Sequence, residues 1–407
     1  DLHKEYRRQR QMCIRDSSDC QMKNVINMDI TTKIKRSKLL YYVYYYVMSG
    51  LVNLYKLFLK PDGKLMLFVC YGGRHYSDST RVIYEAMLKD ERFKDYIIYW
   101  AFKNPEKYPF IPNTVNVNSL KYFNIALRAR VWVTNVIVER ALNFKGINTY
   151  YMHTTHGVLC KLDGKDAIDS ANFRTLSTFK WDCCFASSDI EKYVYAGMFG
   201  IPIGKMHVIG MPKNDILVHY TEDYRSELRK RIGIPEGKKA ILYAPTFREE
   251  ANFKEVFDVD VNLWKQNLGD DYVLLYRAHP VISSDTKQNN DFFIDVTNYE
   301  IVEDIMIASD LLVSDYSGII FDYCIMDKPI FLWPYDYDKY NAIRGLYFDI
   351  RKELLYKEDQ GELTKVIKEA DFKKVVEEYV IPFKNKYETE YGNATSKALD
   401  LIYNNIQ

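Results

Sequence analysis

The sequence lacks the short motifs that announce several large enzyme classes. It holds no Walker A sequence, no GxGxxG after an apolar run, no HExxH and no DxD-type cluster. Kinases, dehydrogenases and metal-dependent A-type glycosyltransferases lose ground accordingly. Nothing in it calls for a metal or another cofactor. An excess of one charge is also missing: 56 Lys and Arg against 55 Asp and Glu leave a formal net charge of +1. Wholesale nucleic-acid binding is therefore not indicated, and an anionic ligand must be met locally. The seven cysteines (Cys13, Cys20, Cys70, Cys160, Cys183, Cys184 and Cys324) are odd in number and form no CxxC pair. Neither a disulfide framework nor a zinc site is indicated, and a reducing cytoplasm fits best. The opening residues do not follow the pattern of a cleaved signal peptide, which argues against export. Tandem repeats and low-complexity linkers are absent too.

What is present is a chain of 407 residues, 47% hydrophobic and 27% charged, enough for two α/β domains. Aromatics reach 15%, with 35 Tyr. Tyr tolerates a boundary between apolar and wet surroundings, as at a membrane surface or around a sugar-like ligand. Residues 1–30 are polar and aperiodic and read as a disordered leader or an artefact. In residues 31–60, Lys33, Lys35, Arg36 and Lys38 precede an apolar, Tyr-rich stretch from Leu39 to Leu59. The stretch has about the 20 residues needed to span a bilayer, but Asn53, Lys56 and the tyrosine hydroxyls favour a membrane-associated helix lying in the interface. The basic residues would be drawn to an anionic membrane surface. A helix that simply covers a domain is the plainer alternative.

From Lys64 onward short apolar runs alternate with helical or loop segments. LMLFVC, YIIYWAF, VNVNS, VWVTNVIV, TYYMHT, CCFAS and MHVIG form one series; KAILYAP, YVLLYRAHP, FFIDV, DLLVSD and PIFLWP form a second. This alternation predicts an α/β fold with two mostly parallel sheets, each in a Rossmann-like domain, covering residues 61–212 and 213–370. The turn Gly210-Met211-Pro212 and the polar helix Glu222 to Arg231 make the hinge. Residues 371–407 are helical in pattern and pack back on the N-terminal domain.

Ligands in open α/β sheets bind at the carboxyl ends of the strands, so the two domains should face a central cleft there. His156 and Gly157 follow one strand. A histidine titrates near neutrality and can act as a base, and a glycine lets backbone approach a ligand. His153, inside the strand, is expected to be structural. Arg277 and His279 follow a second strand and suit a phosphate. Asp315, Ser317 and Gly318 lead into a helix from Ile319 to Met326, where free N–H groups and the Ser317 hydroxyl could hold phosphate oxygens; an ordinary helix cap is the alternative. Asp322, one turn inside, could hold ribose hydroxyls. Thr246 and Arg248 close another strand, and Lys213 adds a cation near the hinge.

Taken in order, HGxxxK (His156 to Lys161), GxPKND (Gly210 to Asp215), YAPTFR (Tyr243 to Arg248), RAHP (Arg277 to Pro280) and SDYSGIIFD (Ser314 to Asp322), followed by KPIFLWPYDYDKY and RGLYFD, make a set. Over roughly Lys64 to Asp349 the chain resembles the CDP-glycerol glycerophosphotransferases of bacterial teichoic acid synthesis. The resemblance implies a glycosyltransferase-B fold and peripheral attachment to the cytoplasmic face of the membrane. It also implies transfer of glycerol phosphate or ribitol phosphate from CDP-glycerol or CDP-ribitol to a lipid-linked glycan acceptor, with release of CMP. By position it makes His156 and His279 the catalytic histidines. Ser317 and Gly318 become the donor phosphate site, Arg248 and Arg277 its anion pocket, and Asp322 the ribose contact. Two positions depart from the family pattern: Val158-Leu159 stands where HGTP is usual, and Lys213 replaces the arginine of GxPRND. Rival readings are a nucleotide-sugar enzyme, either a glycosyltransferase or a UDP-sugar 2-epimerase, and a non-catalytic membrane-binding module.

Overall fold

Among the described residues, twelve short strands, all paired in parallel, build two sheets in a computed structural model. It describes residues 37–155, 157, 159–168, 180–246, 248, 259–278 and 290–407. The expected leader, His156, Val158, His279 and Pro280 lie outside the described residues.

The first sheet has the order β3-β2-β1-β4-β5-β6-β7. Its strands are β1 (Asp62–Val69), β2 (Ile97–Phe102), β3 (Thr114–Asn116), β4 (Ala129–Thr134), β5 (Tyr150–His153), β6 (Cys183–Ala186) and β7 (Met206–Val208). The second has the order β10-β9-β8-β11-β12, from β8 (Lys239–Tyr243), β9 (Tyr272–Tyr276), β10 (Phe293–Asp295), β11 (Leu311–Ser314) and β12 (Ile330–Leu332). In each sheet the chain reverses its direction of growth next to the first strand used, between β1 and β4 and between β8 and β11. That reversal opens a crevice at the strand ends.

The strands read as unbroken apolar runs because both faces of a parallel sheet are covered. On β8, Ala240 and Leu242 enter one core while Ile241 and Tyr243 enter the other. The same alternation recurs on β9, with Val273 and Leu275 opposite Leu274 and Tyr276. Each face thus collects every second side chain.

The chain falls into two compact units. The smaller contains the Lys38–Lys56 helix and Glu139–Phe144. Ser37 caps the helix by accepting from the Leu40 amide. Asn53 Nδ2 donates to the Asn143 carbonyl at 2.8 Å, and the Asn143 amide donates to Ser49 Oγ at 2.8 Å. No helix among the described residues is long and apolar enough to cross a membrane.

The larger unit contains both sheets. Its C-terminal segment touches each. In the Ile381–Tyr387 helix, Phe383 and Tyr387 pack on Phe321 at 5.1 and 5.7 Å between ring centroids. The amides of Thr389 and Glu390 then donate to the Ser187 carbonyl just past β6, both at 2.9 Å. The final helix, Ala394–Ile406, buries Ala398, Leu399, Ile402 and Ile406 in the core beneath the first sheet. Its start is capped from a distance: the Asp215 carboxylate accepts from the amides of Ala394 and Thr395 at 2.9 and 2.8 Å and from the Thr395 hydroxyl at 2.6 Å. Gly210, with φ of +83°, stands where a Cβ would collide with the Glu390 carbonyl oxygen. The GxPKND turn is therefore also the seat of the C-terminal crossing.

Candidate functional site

The crevice of the second sheet lies where β8 and β11 end side by side. Leaving β8, the Thr246 amide donates to both oxygens of Asp315 at 2.8 and 3.0 Å. Arg248 reaches the same carboxylate at 2.9 Å and forms a two-pronged pair with Asp336 at 2.8 and 2.9 Å. Tyr316 stacks on Tyr340 at 4.4 Å, with the Arg248 guanidinium 4.9 Å from the Tyr340 ring centre. Burial opposes the charge on Arg248, but Asp315 and Asp336 outweigh it and raise its pKa. The arginine braces the two strand ends. Thr246 keeps a buried hydroxyl with no hydrogen-bond partner among the described residues. Such groups are costly to leave unsatisfied, and their presence at a strand-end crevice points to a ligand.

The helix after β11 differs from the expected one. It runs only from Ile319 to Cys324, and its cap is Gly318, with no side chain capping it. Ser317 does not cap it, and Asp315 Oδ1 instead takes the Tyr316 amide at 2.6 Å. The main chain at Gly318 comes very close to the first sheet's loop, so that a Cβ there would meet the Gly157 carbonyl oxygen at 2.7 Å. Gly157 itself has φ of +77°, a backbone conformation that favours glycine. The two glycines allow the loops after β5 and β11 to touch.

Lys213 and Asp322, both expected at the donor site, pair with each other. The Lys213 ammonium pairs with Asp322 Oδ2, and Asn214 Nδ2 donates to Asp322 Oδ1 at 2.6 Å. Burial works against the lysine's charge, while Asp322, Asp78 and Glu303 more than compensate and raise its pKa. Arg277 is likewise occupied: its Nη1 donates to the carbonyls of Val296 and Tyr299 at 3.2 and 2.6 Å. Burial lowers its pKa, and Glu303 and Tyr71 partly offset this. Its visible work is to hold the chain that follows β10. His153 stacks on Trp181 at 3.5 Å and accepts from the Thr155 amide at 3.1 Å.

Sequence reasoning missed three carboxyls that surround Lys213. Glu191 accepts from the Ser187 amide at 2.6 Å, and burial and Asp322 raise its pKa to about 7 against hydrogen bonds and Lys213. Glu388 is raised well above the carboxylate range, chiefly by burial and then by Glu191 and Asp322. Glu303 is raised to about 7 by burial, with Lys213 opposing. Each sits in a stretch that reads as an ordinary helix. Only Ser188-Asp189-Ile190-Glu191 carries a local signal, that of a helix start, with Ser188 accepting from the Glu191 amide. Among the described residues no group of three or more His, Cys, Asp or Glu is placed to hold a metal ion.

Two parallel sheets with their strand-end crevices in one unit define an α/β fold of the glycosyltransferase-B type. Residues 51–404 match the family CDP-Glycerol:Poly(glycerophosphate) glycerophosphotransferase, and the chain belongs to that family. It is similar to the teichoic acid poly(glycerol phosphate) polymerase of Staphylococcus epidermidis, 33% identical over 388 residues, which cover 87% of this chain and 53% of that protein. It is also similar to the teichoic acid glycerol-phosphate transferase of Staphylococcus aureus, 30% identical over 371 residues, which cover 84% of this chain and 94% of the relative. The chain thus spans about half the length of the first relative and nearly all of the second. Among solved structures, a variant of the wall teichoic acid polymerase TagF superposes with a TM-score of 0.78 at 31% identity, covering 91% of this chain and 97% of that one. TagF has also been solved after soaking with CDPG.

Proposed function

We propose that this chain transfers glycerol phosphate or ribitol phosphate from a CDP-activated donor to a lipid-linked cell-wall or capsule acceptor and releases CMP. The observation that carries the reading is the second-sheet crevice. There, the unpartnered Thr246 hydroxyl stands beside the Arg248–Asp315 brace and the loop of Ser317 and Gly318. Family membership and the soaking of TagF with CDPG support a cytidine diphosphate donor in that place. In this reading His156 takes the proton of an acceptor hydroxyl, whose oxygen attacks the β-phosphorus. The bond from that phosphorus to the bridging oxygen breaks, and CMP carries away the electron pair. Thr246, the Ser317–Gly318 loop and His279 meet the diphosphate oxygens. Positioning and fixed dipoles provide most of the acceleration. No metal or other cofactor is assigned a part.

The reading places the protein at the cytoplasmic face of the membrane, attached peripherally. The Lys38–Lys56 helix supports this: it buries Tyr41, Tyr45, Ser49 and Val52 on one side and exposes Leu40, Val43, Val47, Leu51 and Leu54 on another. An exposed apolar stripe of this kind suits the headgroup boundary of anionic lipid.

The test is a nucleotide panel. With a lipid-linked acceptor, CDP-glycerol or CDP-ribitol should yield CMP, and UDP-sugars should yield nothing. Release of UDP, or of no nucleotide from any donor, would overturn the reading.

A further inference from the structure

The loop that leaves β5 does not stay with the first sheet. Leu159 and Cys160 are buried in a core shared with β8, β9 and β11, and Lys161 forms an isolated antiparallel bridge with Leu346. Two main-chain bonds flank the bridge: the Tyr347 amide donates to the Cys160 carbonyl and the Leu162 amide to the Gly345 carbonyl, both at 3.1 Å. Gly345, with φ of +75°, ends the Tyr337–Arg344 helix, whose Tyr340 lies on Tyr316. The HGxxxK and RGLYFD segments are thus stitched together beside the crevice where β8 and β11 end.

Lys161 is half-buried there, and its ammonium makes no hydrogen bond or ion pair to any described residue. Carboxylates on the neighbouring segments are engaged elsewhere. Asp315 accepts from the Thr246 amide with both oxygens, from the Tyr316 amide and from Arg248, which fills the roughly four acceptor positions of a carboxylate. Asp336 is held by Arg248 and Tyr316, Asp163 by Arg344 and Asp349 by Arg351. Burial lowers the lysine's pKa; Asp315 and Cys160 oppose this, while Arg344 and Arg248 add to it. A half-buried cation left over in this way lacks a counter-charge, and an anion brought to the crevice supplies one. The buried Thr246 hydroxyl, whose amide sits on the same Asp315, is a second polar group there without a partner. We propose that Lys161 binds the β-phosphate of the CDP-linked donor, the group that is transferred. The proposal rests on the polyol-phosphate transfer reading and deepens it. In that reading the same loop carries His156, so Lys161 arrives from the side of the attacking hydroxyl, while Thr246 and the Ser317–Gly318 loop come from the second sheet. The β-phosphorus is the atom on which the two sides converge.

Titration calorimetry on wild type and Lys161→Met, with CDP and CMP as separate probes, tests this, because CMP lacks the β-phosphate. The variant should bind CDP at least about tenfold more weakly than wild type, since a charge-assisted hydrogen bond to phosphate is lost, and should bind CMP within about twofold of it. Unchanged CDP binding would overturn the proposal. Equal weakening of both nucleotides in a folded variant would overturn it too, by putting Lys161 at the α-phosphate or giving it only a structural part. Wild type that binds neither nucleotide overturns the transfer reading itself, a distinct outcome. Urea unfolding reports whether the variant is folded, and removal of an unpaired charge should leave its midpoint at or above that of wild type. Should Lys161→Met fail to fold, Lys161→Gln is read by the same two titrations and the same criteria.

Discussion

Thr246 is a residue whose cost in the unliganded protein and value in the complex can be separated. Its amide is held by Asp315, so the backbone position does not depend on the hydroxyl. The hydroxyl itself is buried and unpartnered among the described residues. Replacing it with a methyl group of the same shape removes an unsatisfied polar atom from the interior. We expect Thr246→Val to stabilise the free protein by about 1 kcal/mol in urea unfolding. The same change should raise the KM for the CDP-linked donor by about tenfold, because a hydrogen bond to a phosphate oxygen is lost. A variant less stable than wild type, or one with unchanged KM, would show that the hydroxyl has another role. Arg248 makes the contrasting case: it already holds two carboxylates, so its removal would leave Asp315 and Asp336 uncompensated.

At the scale of elements, the strands were readable because both-sided burial writes continuous apolar runs into the sequence. Every run proposed as a strand contains one, although VWVTNVIV stops pairing at Thr134, where Asn135 turns to accept from the Tyr71 amide. The helix after β11 was only half readable. Its position followed from Ser-Gly after a strand, but the absence of a side-chain cap did not: Asp315 is claimed by Thr246 and Arg248, 69 and 67 residues away. Glu191 and Glu388 line one cleft although nearly two hundred residues separate them, and no local pattern announces such a pair. The last helix is a further case. Its own Asn393 makes no capping bond, and Asp215 of the GxPKND turn supplies the cap instead. Asp215→Ala should therefore cost about 1–2 kcal/mol of stability. The loss should be concentrated in faster amide exchange over residues 394–406. If exchange there stays at the wild-type rate, the cap is not what anchors the crossing.

At the scale of the whole molecule, the carboxyls around Lys213 tie stability to pH. Glu303 is the clearest member: burial raises it from 4.5 to about 7 in the fold, while Lys213 opposes this and Asp78 and Asp322 add to it. Arg277 also faces it. Between those two values the folded protein holds a proton that the unfolded chain has released, so the stability Glu303 contributes is complete below pH 4.5. It is lost as the pH rises through about 7. Ionising this one group in the interior costs at most about 3 kcal/mol. Glu303→Gln keeps the shape and removes the titration. Its stability relative to wild type should therefore rise between pH 5 and pH 8, by up to about 3 kcal/mol in paired urea unfolding curves. Glu191 and Glu388 still titrate in the variant, so some pH dependence remains, but its slope in this window should be smaller. Curves that stay parallel from pH 5 to pH 8 would mean that Glu303 ionises in the fold as readily as in the unfolded chain. The buried charge around Lys213 would then be balanced more fully than its hydrogen bonds indicate.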